Sequence, residues 1–234
     1  MASIFKREFR AYFHTPLGYV IIAVAYFFTG YYFFTYNLYG ATTDFTNLYG
    51  LLFPVVLFLV PVLTMRLMSE EKRSKTDQLL LTAPVSRVGI VLGKYFSAVC
   101  VFLIAISGTL IDAVITSFYG AVDWPCVIGN FLGLVLLGLA LIAICLFLSS
   151  ITESQVIAAV LGFAVSLFLM LVDAISLVVK SAFFRAFFEY ISFKERYNPF
   201  TLGVVELQNV IFFISIAALF CVITTAQLER KRWN

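Results

Sequence analysis

Charged side chains are scarce in this sequence: Asp, Glu, Lys and Arg together make up only 12% of its 234 residues. Soluble domains carry about 25% charged and about 45–50% apolar residues, whereas 62% of this chain is hydrophobic. The composition therefore excludes a water-soluble globular protein. It predicts an all-α polytopic membrane protein of about six spans, because about 20 apolar residues are needed for a helix to cross a bilayer.

Histidine and cysteine are also rare, which limits the metal and redox chemistry that the chain can support. His14 is the only histidine, and the four cysteines (Cys100, Cys126, Cys145 and Cys221) form no C-x-x-C pair. The sequence contains neither H-E-x-x-H nor G-x-x-x-x-G-K-[ST], so it lacks a zinc-hydrolase motif and a P-loop. We expect no enzymatic activity, no metal site and no cofactor in this chain. The net charge of +3 is too small to indicate a nucleic-acid partner.

Long apolar runs separated by polar connectors predict six spans. They cover residues 16–39, 48–67, 91–119, 126–149, 154–179 and 204–227. Carboxylates at mid-span, which would form a proton relay, are lacking, and this argues against a self-contained secondary transporter or channel. An intramembrane enzyme would need a buried histidine or paired carboxylates on facing helices, and the sequence offers neither in the middle of a span.

Lysine and arginine are distributed unevenly between the two sides of the predicted bundle. One side carries Lys6, Arg7, Arg10, Arg66, Lys72, Arg73, Lys75, Arg87, Lys94, Arg230, Lys231 and Arg232. The other side carries only Lys180, Arg185, Lys194 and Arg196. The positive-inside rule therefore places both termini in the cytoplasm, and we expect a multi-pass protein of the bacterial cytoplasmic membrane.

Residues 2–14 form an amphipathic stretch ahead of the first span. Phe5, Phe9 and Phe13 recur at helical spacing, and basic residues including Arg10 lie between them. This pattern is typical of a helix that lies in the membrane interface. A short solvated tail is the alternative.

The most highly charged connector lies between the second and third spans. Its residues 69–84 predict a helix that ends at Pro84. The candidate contact residues of this coupling segment are Glu70, Glu71, Lys72, Arg73, Lys75, Thr76, Asp77, Gln78, Leu79 and Leu80. Its charges offer a handle for a soluble partner, and its adjacent leucines can anchor it against the bundle. The alternative is that the charges only solvate a cytoplasmic loop.

Three carboxylates, Asp112, Asp173 and Glu206, lie toward the opposite face of the membrane. A carboxylate at bilayer depth costs at least about 2.5 kcal/mol, so it needs water or a partner. One hypothesis is an acidic outer vestibule. The other is pairing near the interface, with each other or with Lys180 or Arg185 of the following connector. The aromatic and charged pattern of that connector, 180–200, predicts a short amphipathic helix at the outer interface or a re-entrant hairpin.

The charged connector also carries a series of short motifs. They are Met65-Arg66, Glu70-Glu71-Lys72, Thr76, Asp77-Gln78, Leu79-Leu80-Leu81, Pro84-Val85-Ser86 and Gly93-Lys94-Tyr95. In this order they resemble the connector of permease subunits of type-2 ABC exporters, the ABC-2 family. Lys6-Arg7-Glu8-Phe9 and Pro16-Leu17-Gly18-Tyr19 are further similar to permeases of the gliding-motility type. The resemblance covers nearly the whole chain.

The resemblance implies a permease subunit that forms half of a translocation path and couples the motion of an ATPase to export. The implied partners are two P-loop ATPase subunits, which bind ATP and Mg²⁺, and a second permease in a homodimer or a heterodimer. In gliding-type systems that second chain often carries an extracytoplasmic domain. Membrane lipids surround such an assembly. A non-transporting membrane subunit of an ABC complex stays open as an alternative.

Overall fold

The computed structural model describes residues 2–75, 86–178 and 190–233, with side chains described in these ranges except at 173–178 and 230–233. The described residues form helices and no strand. The helices are α1 (Ala2–His14), α2 (Pro16–Tyr32, continued by a π-helical turn at Phe33–Leu38), α3 (Thr46–Thr64), α4 (Ser69–Arg73), α5 (Arg87–Ile106), α6 (Gly108–Ser117), α7 (Trp124–Ile151), α8 (Gln155–Val178), α9 (Phe193–Thr201) and α10 (Leu207–Trp233).

Six stretches of these helices are long and apolar enough to cross a membrane. They are Pro16–Leu38, Thr46–Arg73, Arg87–Ser117, Trp124–Ile151, Gln155–Val172 and Leu207–Glu229. They overlap the six predicted spans, and the all-α polytopic class is confirmed. The second span includes the turn between α3 and α4, and the third includes the break at Ser107 between α5 and α6.

Short sequence signals account for where several helices begin. Pro16 is the first residue of α2, where its missing N–H costs no intrahelical hydrogen bond. Ser86 caps α5, because its hydroxyl accepts a hydrogen bond of 3.2 Å from the Gly89 amide. Ser192 caps α9 in the same way, with a bond of 3.0 Å from the Glu195 amide.

Pro61 lies inside α3, and a neighbouring helix compensates for the hydrogen bond that it removes. Proline has no N–H, so the carbonyl of Leu57, four residues earlier, loses its helical donor. The Ser166 hydroxyl of α8 donates to that carbonyl at 2.6 Å. In a bilayer no water can take this role, so the bond both satisfies the carbonyl and joins α3 to α8.

The core of the bundle is built around α7. In the most apolar 18-residue stretch of this helix 67% of the residues are buried, whereas the share is 28% in the first and last spans. It contacts α3, α5, α8, α9 and α10. Gly138 allows one of these close approaches, because the ring of Phe102 on α5 occupies the space that a side chain would need. The less buried first, fifth and last spans lie at the periphery.

The connectors that carry the candidate functional residues lie at the ends of this bundle. Helix α1 covers the predicted interfacial segment and packs against α5 and α2. Of the predicted coupling segment, α4 and the two residues after it are described, and residues 76–84 lie outside the described part of the chain. In the outer amphipathic segment, α9 is described and residues 180–189 lie outside the described ranges.

Candidate functional site

The chain leaves its helical path between α3 and α4, and one serine of α7 bridges the break. The Ser149 hydroxyl accepts hydrogen bonds from the amides of Met68 at 3.1 Å and Ser69 at 3.2 Å. It also donates to the Met65 carbonyl at 3.1 Å. One hydroxyl has one proton and two lone pairs, and here all three are used. The start of α4 is therefore held against the end of α7.

Lys72 adds a second connection between the same two helices. Its side chain is buried, and its ammonium group donates to the backbone carbonyl of Ser150. The last carbonyls of a helix have no intrahelical donor and carry partial negative charge, so they are suitable partners for a cation. Lys72 therefore faces the bundle, which differs from the expectation that its charge is offered to a soluble partner.

Glu71 lies at the centre of a charged cluster of four residues, Arg7, Glu8, Glu71 and Lys94. The Arg7 Nη2 atom is 2.6 Å from Glu8 Oε1 and 2.6 Å from Glu71 Oε1. The Lys94 Nζ atom is 3.0 Å from Glu71 Oε2, 3.3 Å from Glu8 Oε1 and 2.6 Å from the Leu67 carbonyl. The cluster contains two cations and two anions, so its formal charge is zero.

The cluster joins three elements that are distant in the sequence. Arg7 and Glu8 belong to α1, Glu71 to α4 and Lys94 to α5. The Lys94 side chain is only 1% exposed, and both glutamates are 16% exposed. Burial alone lowers the pKa of Arg7, but the hydrogen bonds and charges of Glu8 and Glu71 outweigh it and leave the pKa raised. The ion pairs of the cluster hold α1 and α4 against the base of the third span.

Arg66 makes a second connection between α1 and the α3–α4 turn. Its Nη1 atom donates to the Thr15 hydroxyl at 2.6 Å, and its Nε atom is 3.1 Å from Glu70 Oε2. Its guanidinium group also lies 5.7 Å from the centre of the Tyr12 ring. The hydroxyl of this buried tyrosine donates to the Leu63 carbonyl near the end of α3 at 2.8 Å.

The predicted contact residues of the coupling segment thus fall into two groups. Glu71 and Lys72 face the bundle, whereas the side chains of Glu70, Arg73 and Lys75 are exposed. Thr76, Asp77, Gln78, Leu79 and Leu80 lie outside the described residues. The sequence contained a signal for the inward group: Lys94 lies in an apolar span, and a buried cation requires an anionic partner.

The predicted interfacial residues form a continuous aromatic edge on α1. Phe5 and Phe9 have ring centres 5.9 Å apart, and Phe9 and Phe13 have centres 5.1 Å apart. Phe13 then contacts Tyr19 of α2, with 5.6 Å between centres. These phenylalanines are half-buried, and Arg10 is exposed on another face of the helix.

At the other end of the bundle, the three predicted vestibule carboxylates have different environments. Asp112 on α6 is buried, and its Oδ2 atom has no hydrogen-bond partner among the residues that the structure describes. Glu206 is exposed and accepts a bond of 2.9 Å from Asn209, whose own oxygen accepts from Arg196 at 3.2 Å. Asp173 lies in α8, and its side chain is outside the described part.

Three other buried polar atoms in the described ranges lack a hydrogen-bond partner: Asn37 Oδ1, the Tyr49 hydroxyl and Asn130 Oδ1. The hydroxyl of Tyr49 is within electrostatic reach of the Asp112 carboxyl group. The Oδ1 atom of Asn130 lies on the first turns of α7. Buried polar atoms without partners are rare in proteins and indicate water, an ion or a function. The vestibule stays a prediction, with Asp112 as its most buried carboxylate.

We expect Asp112→Asn to leave the free energy of unfolding within about 1 kcal/mol of that of the wild type, or to raise it, because no described ion pair is broken and a buried charge is removed. Thermal unfolding of the detergent-solubilised protein would measure this. Glu206→Gln, at an exposed carboxylate, is the control. A large loss of stability in the Asp112 variant alone would instead support pairing with a basic residue of the outer connector.

The described helices thus form a polytopic bundle with a charged helix held against one end of it. The family model described as "ABC-2 family transporter protein" matches residues 4–227. The chain therefore belongs to the ABC-2 family and is the membrane component, or permease, of an ABC transporter, and such permeases associate with an ABC ATPase. No curated protein matches the chain. The similarity to the gliding-motility type stays a prediction.

Proposed function

We propose that this permease couples ATP hydrolysis in two partner ATPase subunits to export, and that α4 is the contact through which the motion enters the membrane. The observation that carries the proposal is the charged cluster around Lys94. It joins α4 to α1 and α5, while Ser149 and Lys72 join α4 to α7. A displacement of α4 would therefore be passed to three neighbouring elements at once.

The exposed edge of α4 supplies the contact surface for the ATPase. Glu70, Arg73 and Lys75 point away from the bundle, and no ion pair joins Arg73 or Lys75 to a carboxylate in the described residues. The charges of Arg73 and Lys75 are therefore available to form pairs with a partner. ATP and Mg²⁺ would bind to that partner, because the present sequence lacks the P-loop pattern. With both termini in the cytoplasm, as the distribution of basic residues favours, α4 would lie on the side where ATP is present.

A second permease would complete the translocation path. The first, second and fifth spans enclose an apolar groove of about 570 Å³, lined by residues such as Val24, Phe28, Phe58 and Phe163. The first and fifth spans are also poorly buried within this chain, at 28% and 33%. Because the chain leaves much of this apolar face uncovered, we propose it as the face that meets the second permease, either an identical or a different chain.

Replacing both Arg73 and Lys75 by alanine should reduce the recovery of the ATPase at least about tenfold, because two exposed contacts of about 1 kcal/mol each are lost. The measurement is affinity purification of the tagged chain from native membranes, with co-purifying proteins identified by mass spectrometry. Lys194→Ala, at an exposed position on α9 at the other end of the bundle, is the control.

The unfolding midpoint of the R73A/K75A variant should equal that of the wild type, since both side chains are exposed. Equal recovery of the ATPase in the variant and the control would exclude this edge of α4 as the contact. Recovery of the wild-type chain without any ATPase, in a detergent that preserves other ABC complexes, would favour a self-contained transporter.

A further inference from the structure

A groove of about 590 Å³ runs along the exposed face of α1. Four of its lining residues are cations, Lys6, Arg7, Arg10 and Arg66, and a fifth is the histidine His14. No Asp or Glu of the described residues lines it. This cationic groove is separate from the charged cluster, although Arg7 borders both. A concave surface with charge of one sign attracts ligands of the opposite sign.

Some cations of the groove already form ion pairs with carboxylates of the chain, and others do not. Arg7 is paired with Glu8 and Glu71, and Arg66 is paired with Glu70. Lys6 and Arg10 are exposed and form no ion pair with any carboxylate that the structure describes. They are four residues apart on one face of a helix, where like charges destabilise each other. A bound anion between them would remove this repulsion.

The position of the groove favours an anion that belongs to the membrane. It ends at Thr15, immediately before Pro16 begins the first span. The aromatic edge of Phe5, Phe9 and Phe13 lies on the same helix, and Ile4 and Tyr12 face the bundle. A helix with one aromatic and one basic face lies at the depth of the lipid headgroups. Basic pockets beside spans at this depth bind the headgroups of anionic lipids.

We propose that the cationic groove is a binding site for an anionic phospholipid, whose phosphate group is held between Lys6 and Arg10. The acyl chains would follow the aromatic edge of α1 toward the first span, where Tyr19 is 58% exposed. Because the helix that carries the groove also carries Arg7 and Glu8, an occupied groove would stabilise α1 in the position from which these residues contact Glu71 and Lys94.

The test titrates the full-length protein in a non-ionic detergent with dioctanoyl phosphatidylglycerol, and with dioctanoyl phosphatidylcholine as the zwitterionic comparison. Native mass spectrometry counts the bound lipids. The wild type should bind phosphatidylglycerol in preference to phosphatidylcholine. The K6Q/R10Q variant should lose about 30-fold in affinity, as expected for two cations that each contribute about fivefold.

Two control variants make the result interpretable. K6R/R10K keeps both charges and should bind phosphatidylglycerol like the wild type. R73Q/K75Q removes two exposed cations on the same side of the bundle but outside the groove, and it should also bind like the wild type. An unchanged affinity in K6Q/R10Q would overturn the proposal, as would an equal loss in R73Q/K75Q.

Two further outcomes would also overturn the lipid as the ligand. Complete displacement of phosphatidylglycerol by millimolar inorganic phosphate would show that the groove binds a free anion. Unchanged lipid binding in K6Q/R10Q, together with reduced recovery of the ATPase, would assign the groove to the protein partner instead.

Discussion

Replacing Glu71 by lysine should prevent stable folding, whereas the same replacement at the adjacent Glu70 should be tolerated. Glu71 contacts Arg7 at 2.6 Å and Lys94 at 3.0 Å, so a lysine there would place a third cation beside the exposed Arg7 and the fully buried Lys94. Breaking a buried ion pair costs about 3–5 kcal/mol, and like-charge repulsion adds to this. The total stability of a protein is only about 5–15 kcal/mol.

Glu70 provides the matched control because it has the same side chain one residue earlier. Its carboxylate is 50% exposed and pairs with Arg66 one helical turn away. An exposed pair of this kind contributes about 0–1 kcal/mol. The yield of monodisperse protein and its unfolding midpoint in detergent would measure both variants. Similar losses in the two would contradict the placement of Glu71 in a buried cluster.

The second large effect is expected for Lys94→Met, which removes the most deeply buried cation of the cluster. Methionine has a similar length, so the main change is the loss of charge. Glu8 and Glu71 would then share Arg7 as their only cation in the cluster, and the Leu67 carbonyl would lose its donor. The expected loss is about 3–5 kcal/mol in the free energy of unfolding. Lys75→Met, at an exposed position after α4, should change it by less than about 0.5 kcal/mol.

A double-mutant cycle would separate the ion pair from other effects of the Lys94 substitution. Glu71→Gln alone leaves Lys94 without its closest carboxylate, and Lys94→Met alone leaves a surplus negative charge. The double variant has neither imbalance, so it should be more stable than the sum of the single losses predicts, by about 0.5–3 kcal/mol. Additive losses would show that the two side chains do not interact in the folded protein.

The same variants bear on the proposed coupling. If α4 transmits motion through the cluster, Lys94→Met at a temperature where it remains folded should reduce transport more strongly than ATP hydrolysis by the partner. R73A/K75A should instead reduce the association of the ATPase. These different effects follow from the structure, in which the inward and outward residues of α4 have different neighbours.

Much of the fold could be predicted because the signals are local. The apolar runs predicted six spans, and six helical stretches of the described residues are long and apolar enough to cross a membrane. The connector motif indicated the ABC-2 family, which the family model confirms over residues 4–227. The break at Ser107 and the π-helical turn at Phe33–Leu38 were not predicted, although Ser107-Gly108 is a residue pair at which helices bend.

The interior of the candidate site could not be predicted from the same signals. Ser149 and Ser150 appeared in the sequence only as part of a turn between two spans, yet one bridges the α3–α4 break and the other binds Lys72. Ser166, likewise, had no visible partner until α8 was placed beside the carbonyl freed by Pro61. These roles depend on contacts between helices, which the pattern within one helix does not specify.

The sequence by itself determined that this protein crosses the membrane about six times and carries a charged connector, because hydropathy and charge act within each segment whatever its neighbours are. Only the tertiary structure decided which of two adjacent glutamates is exposed and which is largely covered by the bundle. Glu71 contacts Arg7 across 64 residues of sequence. Such a contact exists only because α1, α4 and α5 pack together, and the cost of burying a charge makes that packing specific.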